Sequence, residues 1–322
     1  MTVSQGRGKD VLAIAGEVSE ALGEVLNVSS ARPIGTPVGK AELEDASLAF
    51  YVDGKRRTDD IVLLLSSPQH PGTVAEDAAL ARSVASRTSP DVAQHIAVPL
   101  YEGSRQGRAF AAFSRLSPLS ARRLPLLWQK RMASARVVPW LVDLAGQTRE
   151  SPAGYERHFM QPLRLLCEDR GLPGEVRRAA GRYLDFAGTF RPDLFTVTQH
   201  GDFWIGNILF RRRVWQDFNP SVGDFTVIDW RGARSDGYPC VDLVSFAQSI
   251  SRPGSLLGRR MVRRYQDGLN LTGAETALYC YLGLGKLAAD LDRFPKELFV
   301  GLCSRVQDFV AKTVPDADPP AG

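Results

Sequence analysis

Residues 199–210 read QHGDFWIGNILF, a His, an Asp and an Asn within eight positions that run directly into an apolar strand. Asp202 and Asn207 stand five apart, with Gly201 just before the pair and Gly206 just inside it. A surface turn can have this composition, and so can a loop holding a catalytic carboxylate and a metal-ligating amide. Two downstream stretches bear on the choice. FTVID at 225–229 reads as a short strand ending on Asp229, and YPCVDLVSF at 238–246 sets Asp242 at the opening of a helix.

The surrounding chain has 322 residues, enough for one large domain or two lobes with a sizeable core. Its 44% hydrophobic and 24% charged content is ordinary for a soluble globular enzyme. Cys167, Cys240, Cys280 and Cys303 are far apart and form no CxxC pair, so they read as reduced thiols of a cytoplasmic protein without a zinc site. The apolar run VLAIAG at 11–16 is too short for a secretory signal and is followed by Glu17, Glu20 and Glu24. Val11, Ile14, Ala15, Val18, Leu22 and Val25 fit an amphipathic helix instead. No stretch approaches the roughly 20 apolar residues of a membrane span.

The first third reads as a helix followed by short strands. SLAFYV (47–52) and IVLLLSS (61–67) form a strand pair with Asp53-Gly54 as the expected turn. A helix is expected at about 73–87, with Thr73 as its N-cap and Glu76 completing a capping box. AFAAFSRL (109–116) is one more strand, leading into a loop with prolines at 118 and 125. Beyond it helical spacing dominates, in 137–147, 155–171, 174–188, 241–251, 256–268, 273–291 and 295–313, interrupted by the strands ILF (208–210) and FTVID. These patterns predict an α+β molecule of two lobes with a cleft between, strand-rich over 1–113 and mainly helical over 114–322.

Phosphoryl transfer asks a protein to position an acceptor hydroxyl, hold Mg²⁺ on the nucleotide phosphates and neutralise charge. One carboxylate near the hydroxyl and two oxygen ligands for the metal suffice, because phosphates and water fill the rest of the Mg²⁺ shell. Asp202, Asn207 and Asp229 are residues of those types. At this point the chain resembles the aminoglycoside phosphotransferase/choline kinase-like family, whose fold is protein-kinase-like. His200-Gly201-Asp202 with Asn207 looks like its HGDxxxxN loop, Ile228-Asp229-Trp230 like its strand ending in Ile-Asp-Trp/Phe, and YPCVDLVSF like its Pro and Asp-Leu helix opening. The three occur in family order and cover residues 195–250, the helical tail following more loosely.

The resemblance implies that Asp202 is the catalytic base, that Asn207 and Asp229 are the Mg²⁺ ligands, and that ATP or GTP is the phosphoryl donor. It makes His200 a supporting residue that hydrogen-bonds the loop into shape, and Asp242 a brace of that loop from a helix N-terminus. Asp224, in Gly-Asp-Phe, invites comparison with the protein-kinase DFG. It enters its strand, however, whereas Asp229 leaves it, where the family keeps its metal ligand.

The N-terminal part departs from the pattern. Kinase-like enzymes hold the α/β-phosphates with a lysine on the third strand, paired to a helix Glu. IVLLLSS contains no lysine, although Glu76 is available as the helix partner. Lys55, Arg56 and Arg57 follow the expected turn, and Lys40 lies in IGTPVGKAE, which is neither GxGxxG nor a Walker A loop. An inactive kinase-like binding protein is therefore the alternative to an active small-molecule kinase.

Charge bears on the acceptor. Residues 1–113 hold 11 Lys and Arg against 14 Asp and Glu, and residues 114–322 hold 29 against 22, within a net charge of +4. Polycationic aminoglycosides need an acidic cleft. A basic helical part favours a neutral or anionic hydroxyl compound such as a sugar, nucleoside or natural product. FRRRV (210–214) and RRMVRRY (259–265) lack the aromatic interleaving of a nucleic-acid surface and read as solvated arginine faces, so no nucleic-acid partner is expected.

Overall fold

The computed structural model describes residues 3–23, 26–34, 47–54, 60–119, 123–210, 225–291 and 295–319. The chain divides into two compact units, Met1–Leu119 with Ile208–Arg231, and Ser120–Asn207 with Gly232–Gly322.

The first unit holds α1 (Val3–Leu22), β1 (Leu26–Pro33), β2 (Leu48–Gly54), β3 (Ile61–Leu65), α2 (Thr73–Ser86), a short α3 (Pro90–Ala93), β4 (Tyr101–Arg105) and β5 (Arg108–Ser114). The strands make one antiparallel sheet in the order β1-β2-β3-β5-β4. Along β3 burial alternates strictly, so Ile61, Leu63 and Leu65 share one face. Ile14, Ala15 and Val18 of α1 pack into the same core as these residues, Val52 and Phe110. The helical spacing of Val11, Ile14, Ala15 and Val18 is thus a buried stripe on the sheet.

Three sequence expectations change here. Asp53 and Gly54 are not a two-residue turn; β2 runs through them, pairing Asp53 with Asn27 and Gly54 with Leu26. The Asp53 carboxylate is engaged along that extended strand, gripping the Arg32 guanidinium at 2.8 and 3.0 Å. Nor does Thr73 cap α2. Gly72 is the N-cap, the Thr73 hydroxyl donates to the His70 carbonyl, and Val74 N–H is capped by Ser66 Oγ at 3.0 Å. The end of β3 thereby supplies the cap that the local pattern assigned to Thr73. Pro125 lies in the first turn of α4 (Arg123–Gln147), not in a loop, where its missing N–H has no intrahelical partner to lose.

The second unit comprises α4, a π-turn at Glu156–Met160, α5 (Gln161–Glu168), α6 (Gly174–Phe190), β6 (Val197–Gln199), and, beyond the hairpin β7 (Ile208–Phe210) and β8 (Phe225–Val227) of the first unit, β9 (Arg234–Gly237). It ends with α7 (Val241–Ile250), α8 (Leu256–Leu269), α9 (Gly273–Ala288) and α10 (Lys296–Thr313). α9 is buried nearly all round, as a central helix must be, and Thr272 with Glu275 builds its capping box. Pro139 inside α4 can donate no hydrogen bond to the Ala135 carbonyl four residues back, and Arg264 Nη1 from α8 donates to that carbonyl at 3.2 Å. Arg259, Arg260 and Arg263 are exposed while Met261, Val262 and Tyr265 are buried, so the arginines of RRMVRRY lie on the solvated face of α8. All four cysteines are free thiols, and among the described residues no helix is long and apolar enough to cross a membrane.

α9 and α5 meet at Gly285, where an added Cβ would lie 2.1 Å from the Pro162 carbonyl oxygen. In α6 a Cβ at Gly181 would meet nothing within 4 Å. Gly285→Ala is expected to lose about 1–3 kcal/mol of stability through overpacking. Gly181→Ala is expected to gain about 0.5–1 kcal/mol through helix propensity. Shifts of the urea midpoint in opposite directions, at unchanged slope, check both.

Candidate active site

Helix α7 presents three anchors to the 200–207 loop at residues 242, 246 and 249, spaced four and three apart along one face. The buried Asp242 carboxylate accepts the His200 N–H at 2.6 Å and the Gly201 N–H at 3.1 Å. Phe246 packs against the fully buried Phe203, which also stacks on Trp140. Ser249 Oγ accepts the Ile205 N–H at 3.0 Å. Burial raises the Asp242 pKa, opposed by His200 and by the two N–H donors.

Between the anchors the chain turns sharply. Gly201 has φ 87°, and an added Cβ would lie 2.5 Å from the Gly232 carbonyl oxygen, so only glycine fits. The next residue, Asp202, is exposed. Its N–H donates to Nδ1 of the fully buried His200 at 3.3 Å, and His200 stands edge-on to Phe203. Asn207 Nδ2 donates to the Asp202 carbonyl at 2.8 Å and to its Oδ2 at 3.1 Å. His200, Asp202, Asn207 and Asp242 therefore form one connected group in the second unit.

Asp229 belongs to the first unit. Strand β8 is bound there by residues 95–97: Val227 N–H donates to the His95 carbonyl, Ala97 N–H donates to the Val227 carbonyl, and the His95 ring stacks on Phe225 at 4.1 Å. Asp229 follows with φ 64°, a left-handed conformation that costs a non-glycine residue about 1–3 kcal/mol. The indole of Trp230 is buried, with Nε1–H donating to the Val227 carbonyl at 3.0 Å, and it ties down the residue after this outlier.

A carboxylate that the sequence pattern missed serves this turn. Asp77 on α2 accepts backbone N–H groups of Trp230 and Arg231. Its pKa is pushed up to about 6, first by burial and then by the charge of Asp229, and its Oδ1 is buried without a partner. Glu76, the expected helix partner, is exposed. Only a helical wheel drawn with the buried stripe of Val74, Ala78 and Ala81 places Asp77 on the inward side. β3 carries no lysine, whereas Lys40, Lys55, Arg56, Arg57 and Asp224 lie outside the described residues.

No protein-family model matches the chain, and no curated protein matches it in sequence. Solved structures do resemble it. A protein designated a fructosamine-3-kinase from Haemophilus somnus aligns with 92% of this chain and 96% of its own at 12% identity and TM-score 0.51. An aminoglycoside 2'-phosphotransferase-IIIa bound to GDP aligns with 87% of this chain and 92% of its own at 11% identity and TM-score 0.51. The choline kinase LicA of Streptococcus pneumoniae aligns with 92% of this chain and 97% of its own at 10% identity and TM-score 0.50. The chain has the kinase-like fold of these phosphotransferases, and the likeness is one of fold.

Asp242→Ala strands the buried His200 N–H and the part-buried Gly201 N–H, and a loss of about 1–3 kcal/mol is expected. Asp242→Asn keeps one acceptor oxygen and loses less. Denaturant unfolding ranks the two, and faster amide exchange at His200 and Gly201 in the Ala variant places the loss in this loop.

Proposed function

We propose that the protein is a small-molecule kinase that moves the γ-phosphoryl group of ATP or GTP to a hydroxyl of a metabolite, sugar, nucleoside or antibiotic-like natural product. Residues 1–113 serve the nucleotide and residues 114–322 the chemistry and the acceptor. The observation that carries this reading is the Asp202–Asn207 loop, an exposed carboxylate fixed by its own asparagine and by three contacts from α7. One exposed carboxylate on a loop anchored in this way suits a base that must meet a hydroxyl in one orientation.

The donor atoms fit Mg²⁺. With Nδ2 committed to Asp202, Asn207 offers Oδ1, and Asp229 offers a carboxylate; both are hard oxygen ligands. The buried Oδ1 of Asp77 has no partner, and the ionised form of this group is disfavoured first by burial and then by the charge of Asp229, a repulsion that a divalent cation would offset. Asn207 and Asp229 would hold the ion, which when bound supplies charge neutralisation on the phosphate oxygens. Asp202 accepts a hydrogen bond from the acceptor hydroxyl and takes its proton as the new oxygen–phosphorus bond forms. The bond to the bridging oxygen breaks, and the nucleoside diphosphate leaves. Asp242 and His200 keep the carboxylate aimed without touching substrate.

A second reading, a kinase-like binding protein without turnover, is favoured by the absence of a lysine from Ile61–Leu65. Incubating the protein with Mg²⁺, ATP or GTP and a panel of hydroxyl compounds, scored by mass gain of one phosphoryl group, distinguishes the two. Asp202→Asn is expected to lower transfer by about 10²–10⁴-fold while nucleotide still raises Tm as in the wild type. Equal transfer by the variant removes Asp202 as the base; stabilisation by nucleotide with no transfer to any compound supports the binding protein.

A further inference from the structure

A cavity of about 300 Å³ lies within the second unit, against the loop that carries Asp202. Gln199 and Gly201, which flank His200, form part of its wall, so whatever fills it lies against the base-bearing loop. Apolar side chains from three helices face it: Val244 on α7, Leu284 on α9 and Leu302 on α10. Its volume suits a small metabolite.

The charges in the wall are uneven. Lys286 on α9 is paired with Asp236 on β9 at 2.6 Å and is only 20% exposed. Arg234 on β9 is half-buried and lines the cavity, and its guanidinium forms no hydrogen bond or ion pair among the described residues. The one carboxylate in the wall, Asp290, stands exposed. With Lys286 offset by Asp236, an ammonium group entering here would meet the Arg234 guanidinium and only the exposed Asp290 carboxylate, a poor match for a polyamine. A carboxylate or sulfate would find in Arg234 a fork of donors that no side chain hydrogen-bonds, with Asp236 acting on it through its charge alone.

We propose that this cavity takes the phosphate acceptor, and that the acceptor is a hydroxyl compound with an apolar body and an anionic group rather than a polyamine. The word acceptor rests on the phosphotransferase reading; the binding preference rests on the cavity alone. In this arrangement the apolar body lies among Val244, Leu284 and Leu302, the anionic group pairs with Arg234, and a hydroxyl points to the Gln199–Gly201 end.

Three glycosides that share an apolar body and differ in charge test it: phenyl glucuronide, phenyl glucoside and phenyl glucosaminide, with kanamycin as polyamine. Calorimetric titration of the full chain without nucleotide is expected to rank them glucuronide, glucoside, glucosaminide, with about a tenfold gap between first and last. Arg234→Gln abolishes the ranking, Arg234→Lys keeps part of it, and Ser245→Phe, which narrows the cavity, weakens all three at unchanged Tm. Tightest binding by glucosaminide or kanamycin, a ranking indifferent to Arg234→Gln, or no binding by any glycoside overturns the proposal. Transfer assays with Mg²⁺ and ATP or GTP run on the same variants. Binding in the expected order with no transfer to any compound overturns the kinase reading and leaves a binding cavity for acidic glycosides; transfer to kanamycin unaffected by Ser245→Phe overturns the cavity assignment and leaves the kinase reading intact.

Discussion

Asp242 receives two backbone N–H groups from residues 200 and 201, and the placement of Asp202 and Asn207 follows from those two bonds. A carboxylate in a nearly dry site is costly unless its oxygens are satisfied. The interaction therefore works in both directions: the loop must adopt the one path that brings its N–H groups to Asp242, and those N–H groups oppose the rise in pKa that burial imposes on the carboxyl. Gly201 makes that path sterically open, and Phe203 and Ile205 continue it along the same face of α7.

The first unit solves a parallel problem with a different carboxylate. Kinase-like enzymes join a strand lysine to a helix acid. Here β3 is IVLLL, and the inward acid of α2, Asp77, binds the backbone just after Asp229 instead. The helix thus supports the left-handed Asp229 directly, through N–H groups, together with the buried indole of Trp230. β3 offers no lysine for such a pairing, and Asp77 serves instead to hold the aspartate turn.

Much of this was legible in the sequence where chemistry and spacing coincide. Asp202, Asn207 and Asp242 could be singled out because their residue types, order and intervals resemble the motifs of the aminoglycoside phosphotransferase/choline kinase-like family, and the structure places them in one bonded group. Helices with a clear apolar stripe, such as α1 and α7, were equally readable. Local patterns failed where a distant group competed. Thr73 and Glu76 have the form of a capping box, yet Ser66, from the end of β3, reaches Val74 N–H first. Asp53-Gly54 has turn chemistry, yet pairing with β1 keeps it extended. Strand β4, YEGSR, has no alternation to reveal it and exists because β5 pairs with it across Gln106 and Gly107, both at positive φ. Asp77 was missed because an acid on a helix reads as solvent-facing until its neighbours are known.

We propose that Asn207 and Asp229 are ligands of a nucleotide-bound divalent ion although β3 lacks a lysine. Electron paramagnetic resonance of Mn²⁺, titrated as a stand-in for Mg²⁺ with and without ATP or GTP, tests this most directly. Nucleotide is expected to tighten Mn²⁺ binding to one site per chain, and Asp229→Ala and Asn207→Ala are each expected to weaken it by at least about tenfold. Mn²⁺ binding that ignores nucleotide, or that survives both substitutions unchanged, would contradict it.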